Sequence, residues 1–124
     1  MTQRVTPMLH VPDVRATIDW YSSIGFTLAR LNDDDGEINW ASLIRDGSEI
    51  MLSLGGASST AHRREVDLYI LTDDIDAVRR TLREPVDIVE DLHDTFYGMR
   101  ELIVRDNNRF WVTFGQPISQ SSAQ

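Results

Sequence analysis

Alternating apolar and polar residues predict short β-strands at several points of the chain. The segment 49–54 alternates in this way, and the segment 109–114 repeats the alternation sixty residues later. A period of two places successive side chains on opposite faces of a strand. Each segment lies beside a pair of residues that tolerate the positive φ angles of tight turns, Asp46-Gly47 and Asn107-Asn108. We therefore expect two β-hairpins that correspond to each other.

Helical spacing follows two aspartates, Asp13 and Asp74. Apolar residues recur every three or four positions from Asp13 to Gly25, and again from Asp74 to Pro85. Aspartate at an N-cap accepts hydrogen bonds from the free amides of the first turn, whereas glycine and proline end helices. The predicted helices have apolar stripes formed by Val14, Ile18, Tyr21 and Ile24 in the first and by Ile75, Val78 and Leu82 in the second.

The same succession of strands and helix occurs twice, at nearly one shift, which indicates an internal repeat. The predicted fold class is α+β, with two tandem βαβββ modules whose curved mixed sheets cup a pocket. The modules span about residues 4–56 and 64–116. A chain of 124 residues fits one domain, 1–116, and the Ser- and Gln-rich residues 117–124 are expected to form a flexible tail.

Strand alternation also predicts which side chains face each helix. The more apolar parity should do so, because the apolar stripe of a helix has to be buried against the sheet. That parity comprises Val5, Leu9, Val11, Ala41, Leu43, Ile50, Leu52, Leu54, Val66, Leu68, Ile70, Phe110, Val112 and Phe114.

The opposite parity carries rings, thioethers and a few polar groups, as small-molecule pockets do. Arg100 and Leu102 are assigned to it only through their repeat equivalence to Trp40 and Ser42. The candidate ligand-binding residues are Met8, His10, Trp40, Glu49, Met51, Asp67, Tyr69, Arg100 and Trp111. Coverage of this face by a partner subunit is the alternative interpretation.

Composition narrows the possible functions. The formal net charge is −8 and lysine is absent, so binding to nucleic acid is disfavoured. The absence of cysteine excludes disulfides and thiolate ligands. No apolar run reaches the roughly 20 residues of a membrane span, and the first residues are unlike a signal peptide, so we expect a cytoplasmic protein. The acidic run 33–37 is either a solvated loop or an attraction for cationic ligands.

Several short segments, taken in order, carry a resemblance to a known superfamily. They are 7–14 (PMLHVPDV), 20–21 (WY), 24–26 (IGF), 40–43 (WASL), 49–52 (EIML), 72–77 (TDDIDA) and 97–101 (YGMRE). Together they resemble the vicinal oxygen chelate superfamily, which includes glyoxalase I, extradiol dioxygenases and bleomycin-resistance proteins. The resemblance covers nearly the whole chain, although the turn at 106–109 (DNNR) departs from the usual Asp-Pro-Asp-Gly.

Metal-using members of that superfamily hold a divalent ion with His and Glu residues at four equivalent strand positions. By the resemblance, these positions fall on Thr6, Ser53, Asp67 and Thr113. Only Asp67 is an ordinary metal ligand, because neutral hydroxyls bind divalent ions weakly. Two of the three histidines fall in predicted loops, at 62 and 93, and do not converge on these positions. We expect neither a metal nor any other cofactor.

The leading hypothesis is a binding protein of the bleomycin-resistance type that sequesters a planar or cationic, antibiotic-like compound. Trp40 and Trp111 would stack on it, and Asp67 and Glu49 would pair with its positive charge. The alternatives are a metal-dependent lyase, isomerase or dioxygenase with relocated ligands, and a regulatory module whose mixed face is an interface. The resemblance also implies a homodimer, with modules paired within one chain or exchanged between two.

Overall fold

A computed structural model describes residues 2–118, and these residues form two compact units with the same order of elements, divided at Thr60. The first unit contains β1 (Met8–Val11), α1 (Val14–Ser23), β2 (Thr27–Asp34), β3 (Glu37–Arg45) and β4 (Ser48–Leu54). The second contains β5 (Asp67–Leu71), α2 (Ile75–Thr81), β6 (Asp87–Asp94), β7 (Met99–Arg105) and β8 (Trp111–Pro117). The predicted α+β class and the βαβββ repeat are confirmed.

Each unit forms one four-stranded mixed sheet with an equivalent strand order. The order is β1-β4-β3-β2 in the first unit and β5-β8-β7-β6 in the second. The first and last strands of each unit pair in parallel, and the remaining pairs are antiparallel. A parallel pair requires a long crossover, which begins in each unit with the helix. The fourth strand therefore returns to the middle of its sheet beside the first.

Both helices begin where the sequence predicts. The side chain of Asp13 accepts a hydrogen bond from Ala16 N at 3.0 Å, and that of Asp74 accepts one from Ala77 N at 3.0 Å. Gly25, with φ of 110°, follows the end of α1. The longer helix has ten residues, and no helix in the described part of the chain is long and apolar enough to cross a membrane.

The core of each unit lies between its helix and its sheet. α1 buries Tyr21 and Ile18 against that sheet, and α2 buries Ile75 and Val78 in the same way. Most of the predicted core residues are buried, which confirms the assignment of faces on β1, β4 and β8.

The prediction that Val5 and Val66 belong to the core is wrong, because these residues are 96% and 44% exposed. Pairing starts only at Met8 in the first unit and at Asp67 in the second, so both valines precede the first strand of their unit. The apolar pattern continues on the N-terminal side of the point at which pairing of each first strand begins.

The end of the last strand lies further along the chain than the sequence predicts. Pro117, assigned above to a flexible tail, pairs with Met99 in β8, and Ile118 N donates to Gly98 O at 3.0 Å. The remainder of the predicted tail, residues 119–124, lies outside the described residues.

The two corresponding hairpins differ in the length of their connection. Arg45 pairs with Ser48, leaving two residues in the turn, whereas Arg105 pairs with Trp111, leaving five. The residue with positive φ in the longer connection is Arg109, at 73°, and neither of the predicted asparagines. The second connection thus has three more residues than the first. Because three is an odd number, each side chain of β7 lies on the face opposite to the one that an ungapped repeat predicts.

The longer connection depends on the buried side chain of Asp106, whose Oδ1 accepts from Asn108 N at 2.8 Å and from Phe110 N at 2.9 Å. Asp106→Ala leaves these amides without their acceptor, and we expect the free energy of unfolding to fall by about 2 kcal/mol in urea titrations. Asp33→Ala is the control, because Asp33 Oδ1 accepts from Gly36 N in an exposed turn that water can replace. Equal losses in both variants would contradict this interpretation.

Candidate functional site

The face of each sheet opposite its helix is called here the distal face. The register places eight of the nine candidate residues on the two distal faces, all except Arg100. In the first unit Met8 lies beside Met51, which pairs in turn with Ser42. In the second unit Asp67 lies beside Trp111. His10, Trp40, Glu49 and Tyr69 complete the set.

In the first unit, the candidate carboxylate and the candidate ring each contact an arginine of the chain. Glu49 Oε2 accepts from Ser42 Oγ at 2.5 Å, and its Oε1 accepts from Arg4 at 3.4 Å. The guanidinium of Arg30 lies 5.4 Å from the centroid of the Trp40 ring, within the range of a cation–π interaction.

In the second unit, one arginine contacts both the candidate carboxylate and the candidate ring. Arg63 donates to both carboxylate oxygens of Asp67, and its guanidinium lies 4.2 Å from the centroid of Trp111. The hydrogen bonds to Asp67, and its negative charge, raise the pKa of Arg63 above its ordinary value. The ring of Trp111 is fixed further by its Nε1, which donates to His62 O at 3.0 Å, and by the edge of the His62 ring.

The sequence predicts that these rings and carboxylates bind a cationic ligand. In the structure, guanidinium groups of the chain itself occupy the corresponding positions. The arrangement is chemically the one expected for a bound planar cation, with a flat cation over an indole and a carboxylate at its edge. A cationic compound at either of these positions would have to compete with a guanidinium group of the chain.

The predicted face of Arg100 and Leu102 is wrong. Both residues are on the helix side of β7. Leu102 is fully buried there, and Nη2 of Arg100 lies 4.0 Å from Oδ1 of Asp76 in α2. The three extra residues of the β7–β8 connection account for the error, because an odd shift moves every side chain to the other face. Ile103 and Arg105 are on the distal face instead, paired with Thr113 and Trp111.

The same inversion brings to the distal face a residue that the sequence analysis missed, Glu101. Its side chain is 5% exposed, and its Oε2 accepts from Tyr69 Oη at 2.8 Å and from Tyr97 Oη at 2.7 Å. His93 lies in β6 directly opposite, and not in a loop as predicted, with its Nε2 3.8 Å from Glu101 Oε1. Glu101, Tyr69, Tyr97 and His93 are called below the Glu101 cluster.

A signal in the sequence could have revealed this cluster. In the segment 101–105, the apolar residues Leu102 and Val104 alternate with Glu101, Ile103 and Arg105. The rule that the more apolar parity faces the helix places Glu101 on the distal face. The ungapped repeat alignment predicts the opposite face for Glu101, because it does not include the three extra residues of the β7–β8 connection.

Gly115 allows Tyr69 to reach across the sheet to Glu101. Tyr69 is on β5 and Glu101 on β7, and Gly115 of the intervening strand β8 is paired with Glu101. A β-carbon on Gly115 would overlap the hydroxyl and the ring of Tyr69. The missing side chain is therefore required for the hydrogen bond between Tyr69 and Glu101.

The Glu101 carboxylate changes the acidity of both tyrosines. Burial and the hydrogen bond to Glu101 raise the pKa of Tyr69 well above its ordinary value. The hydrogen bond to Glu101 is the largest cause of the raised pKa of Tyr97. Both hydroxyls therefore stay protonated, as hydrogen-bond donors, across the neutral pH range.

The residues at the four metal positions implied by the resemblance do not fit a divalent ion. Asp67 is the one strong ligand among them, and both of its oxygens bind Arg63. Ser53 Oγ is directed to Leu54 O, at 3.4 Å, and Thr113 offers a neutral hydroxyl. Among residues 2–118 no group of three His, Cys, Asp or Glu side chains could hold a metal ion.

An open cavity of about 430 Å³ lies at the end of β3 in the first unit. It is lined by Gly25, Thr27, Ala29, Ile44, Arg45 and Asp46, and by none of the nine candidate residues. The Arg45 guanidinium donates to Ile24 O and is thereby engaged. This cavity has the size of a small-molecule site but lacks aromatic walls.

Comparison with known proteins identifies the family. Residues 4–114 match the model of the Glyoxalase/Bleomycin resistance protein/Dioxygenase superfamily. No curated protein matches the sequence significantly.

Solved structures share the fold at low sequence identity. TioX from Micromonospora sp. ML1 has 22% identity and a TM-score of 0.74, over 94% of this chain and 100% of TioX. A bleomycin-binding protein complexed with bleomycin has 16% identity and a TM-score of 0.71, over 93% and 98% of the two chains. TnmS3, an antibiotic binding protein from Streptomyces sp. CB03234, has 23% identity and a TM-score of 0.66, over 94% and 98%.

The raised tyrosine pKa values predict a late ionisation of Tyr69 and Tyr97. Because protonation is favoured in the folded state, this stabilisation is complete below the ordinary pKa of 10.0 and is lost as the pH rises through the folded-state values. In Glu101→Gln, absorbance at 295 nm should report phenolate at lower pH than in the wild type. Glu65→Gln removes an exposed carboxylate and should leave the curve unchanged. Identical curves for the wild type and Glu101→Gln would disprove the assignment.

A side chain at position 115 should disrupt the contact between Tyr69 and Glu101. We expect Gly115→Ala to lower the free energy of unfolding by about 1–3 kcal/mol in urea titrations, because Tyr69 has to move. Gly47→Ala is the matched control, since a β-carbon there meets no atom within 4 Å. Adding Tyr69→Leu should restore part of the loss, and no restoration would contradict the proposed overlap.

Proposed function

Because the chain belongs to the Glyoxalase/Bleomycin resistance protein/Dioxygenase superfamily, we propose that it is a metal-independent small-molecule-binding protein of the bleomycin-resistance type. It sequesters a planar or cationic, antibiotic-like compound on the distal faces of its sheets. Binding rather than catalysis is the role that the side chains there support.

The observation that carries this proposal is the contact of Arg63 with Trp111 and Asp67. A planar cation stacked on an indole, with a carboxylate at its edge, is the complex that an aromatic cationic ligand would form. The distal face of the second unit holds such a cation within its own chain. The net charge of −8 favours the approach of a cationic compound.

The donor set at the superfamily's metal positions supports a metal-independent role. Enzymes of this superfamily that use a metal rely on it as an electrophile, and Thr6, Ser53 and Thr113 are poor ligands for such an ion. Asp67 is committed to Arg63. The residues that remain can stack on a compound, donate hydrogen bonds to it and pair with its charge.

The names of structural relatives point in the same direction. One relative is a bleomycin-binding protein solved with bleomycin, and another is an antibiotic binding protein. The predicted homodimer and cytoplasmic location remain predictions for this chain.

Tryptophan fluorescence tests the proposal directly. Ethidium and berberine are suitable planar cations, and we expect at least one to quench the wild type along a saturable curve. Trp111→Ala should weaken that binding about 5- to 30-fold, because it removes a stacking surface worth about 1–2 kcal/mol. Trp20→Phe, on α1, is the control and should keep wild-type affinity. Failure of every planar cation to saturate the wild type, or an equal loss in Trp20→Phe, would contradict the proposal.

A further inference from the structure

The three carboxylates on the distal faces, Glu49, Asp67 and Glu101, differ in their counter-ions. Glu49 is paired with Arg4, and Asp67 with Arg63. Glu101, the most buried of the three, has no arginine within ion-pair distance among residues 2–118. Its one potential counter-ion is His93, which lies 3.8 Å away and is charged only when protonated. Beside a neutral His93 the buried carboxylate has no cation, which is costly, so its remaining contacts indicate what it can bind.

The two oxygens of Glu101 have different surroundings. Oε2 accepts hydrogen bonds from Tyr69 and Tyr97, whereas Oε1 accepts none within the described residues. Among residues 2–118, the one side-chain polar atom that is fully buried without a hydrogen bond is Arg105 Nε, so Glu101 Oε1 is not completely buried. Oε1 is thus a reachable acceptor in a site that is otherwise closed.

His93 supplies a second acceptor beside Oε1. Its Nδ1 lies 2.8 Å from Asp91 O, and because a carbonyl oxygen can only accept, Nδ1 carries the hydrogen. In the neutral ring, Nε2 then has a free lone pair, and it lies 3.8 Å from Glu101 Oε1. The same Nδ1 also lies 3.6 Å from Glu90 Oε2. In this neutral tautomer, Nε2 and Oε1 are two acceptors that face each other at a distance too long for a hydrogen bond.

We infer that the Glu101 cluster binds the ammonium group of a ligand that is a primary or secondary amine. One N–H donates to Glu101 Oε1 and a second to His93 Nε2, while the positive charge offsets that of the buried carboxylate. The rings of Tyr69 and Tyr97, about half exposed, flank the site and offer apolar and π surface to the carbon next to the nitrogen. This inference rests on the proposed function and specifies one chemical group of the ligand.

The geometry favours an ammonium over other cations. A guanidinium prefers both oxygens of a carboxylate, and Oε2 is already occupied by two hydroxyls. A divalent metal requires more strong ligands than one carboxylate and one imidazole, and the described residues offer no third. An ammonium needs only two acceptors on one side, which is what Oε1 and Nε2 provide.

The test compares three probes of similar shape by calorimetry: 2-phenylethylamine, 2-phenylethanol and the quaternary phenethyltrimethylammonium ion. We expect the amine to bind about tenfold more tightly than the alcohol, because the ammonium carries a positive charge that pairs with the Glu101 carboxylate and has a second N–H for His93 Nε2. The quaternary ion, which lacks N–H donors, should bind more weakly than the amine. The amine alone should shift the NMR resonances of the His93 ring.

Variants locate the effect within the cluster. Glu101→Gln should reduce amine affinity about tenfold and alcohol affinity much less, because only the amine loses a charge partner, and Glu65→Gln is the charge-matched control with wild-type affinity. His93→Ala, which removes the second acceptor, should lower amine affinity about threefold and serves if Glu101→Gln does not fold. Thermal unfolding checks the integrity of each variant.

Two results would overturn the inference and leave the proposed function intact. One is equal binding of amine and alcohol to the wild type, and the other is an NMR titration showing that the ligand-free His93 is already cationic at neutral pH. Failure of the amine to bind while planar cations still quench tryptophan fluorescence would have the same meaning. Failure of all these compounds would overturn both.

Discussion

Every side chain on a β-strand lies on one of two faces, and the number of residues in the preceding or following turn decides which one. The distal faces of this protein depend on that constraint more than on any single contact. Two residues connect Arg45 to Ser48, and five connect Arg105 to Trp111. With two residues in the second turn as well, Arg100 would point away from α2, and Glu101 would be buried against the helix. The Glu101 cluster exists because the second turn is longer than the first by an odd number of residues.

Much of the fold could be predicted from the sequence because it depends on local signals. Asp13 and Asp74 cap their helices, Gly25 follows the end of α1, and the alternation in β4 and β8 gives the correct faces. The repeat then supplies the topology, since two units with the same local signals form equivalent sheets. The strand starts were less predictable, because Val5 continues the apolar pattern of β1 although pairing begins only at Met8 and the Val5 side chain is exposed.

The site was predicted only in part, and the reason is tertiary. The placement of Trp40 and Trp111 follows from periodicity, but the contacts of Arg30 and Arg63 with those rings do not. Arginines in a loop or on an edge strand carry no periodic signal that assigns them to a ring across the sheet. The conformation of the chain around His62 decides where the Arg63 guanidinium lies, and no local rule specifies it.

Arg63 has a consequence for selectivity. It lies only four positions before Asp67 in the chain, so its local concentration at the Trp111 ring is fixed by the chain and does not vary with the medium. A dissolved cation has to compete with the Arg63 guanidinium for the Trp111 ring. The apparent affinity of the dissolved cation is therefore lower, because it can bind only while Arg63 is away from the ring. Small cations that are abundant in cells gain too little from one contact to displace it. Only a molecule with a larger aromatic surface, or with a second charged group that binds elsewhere, exceeds this threshold.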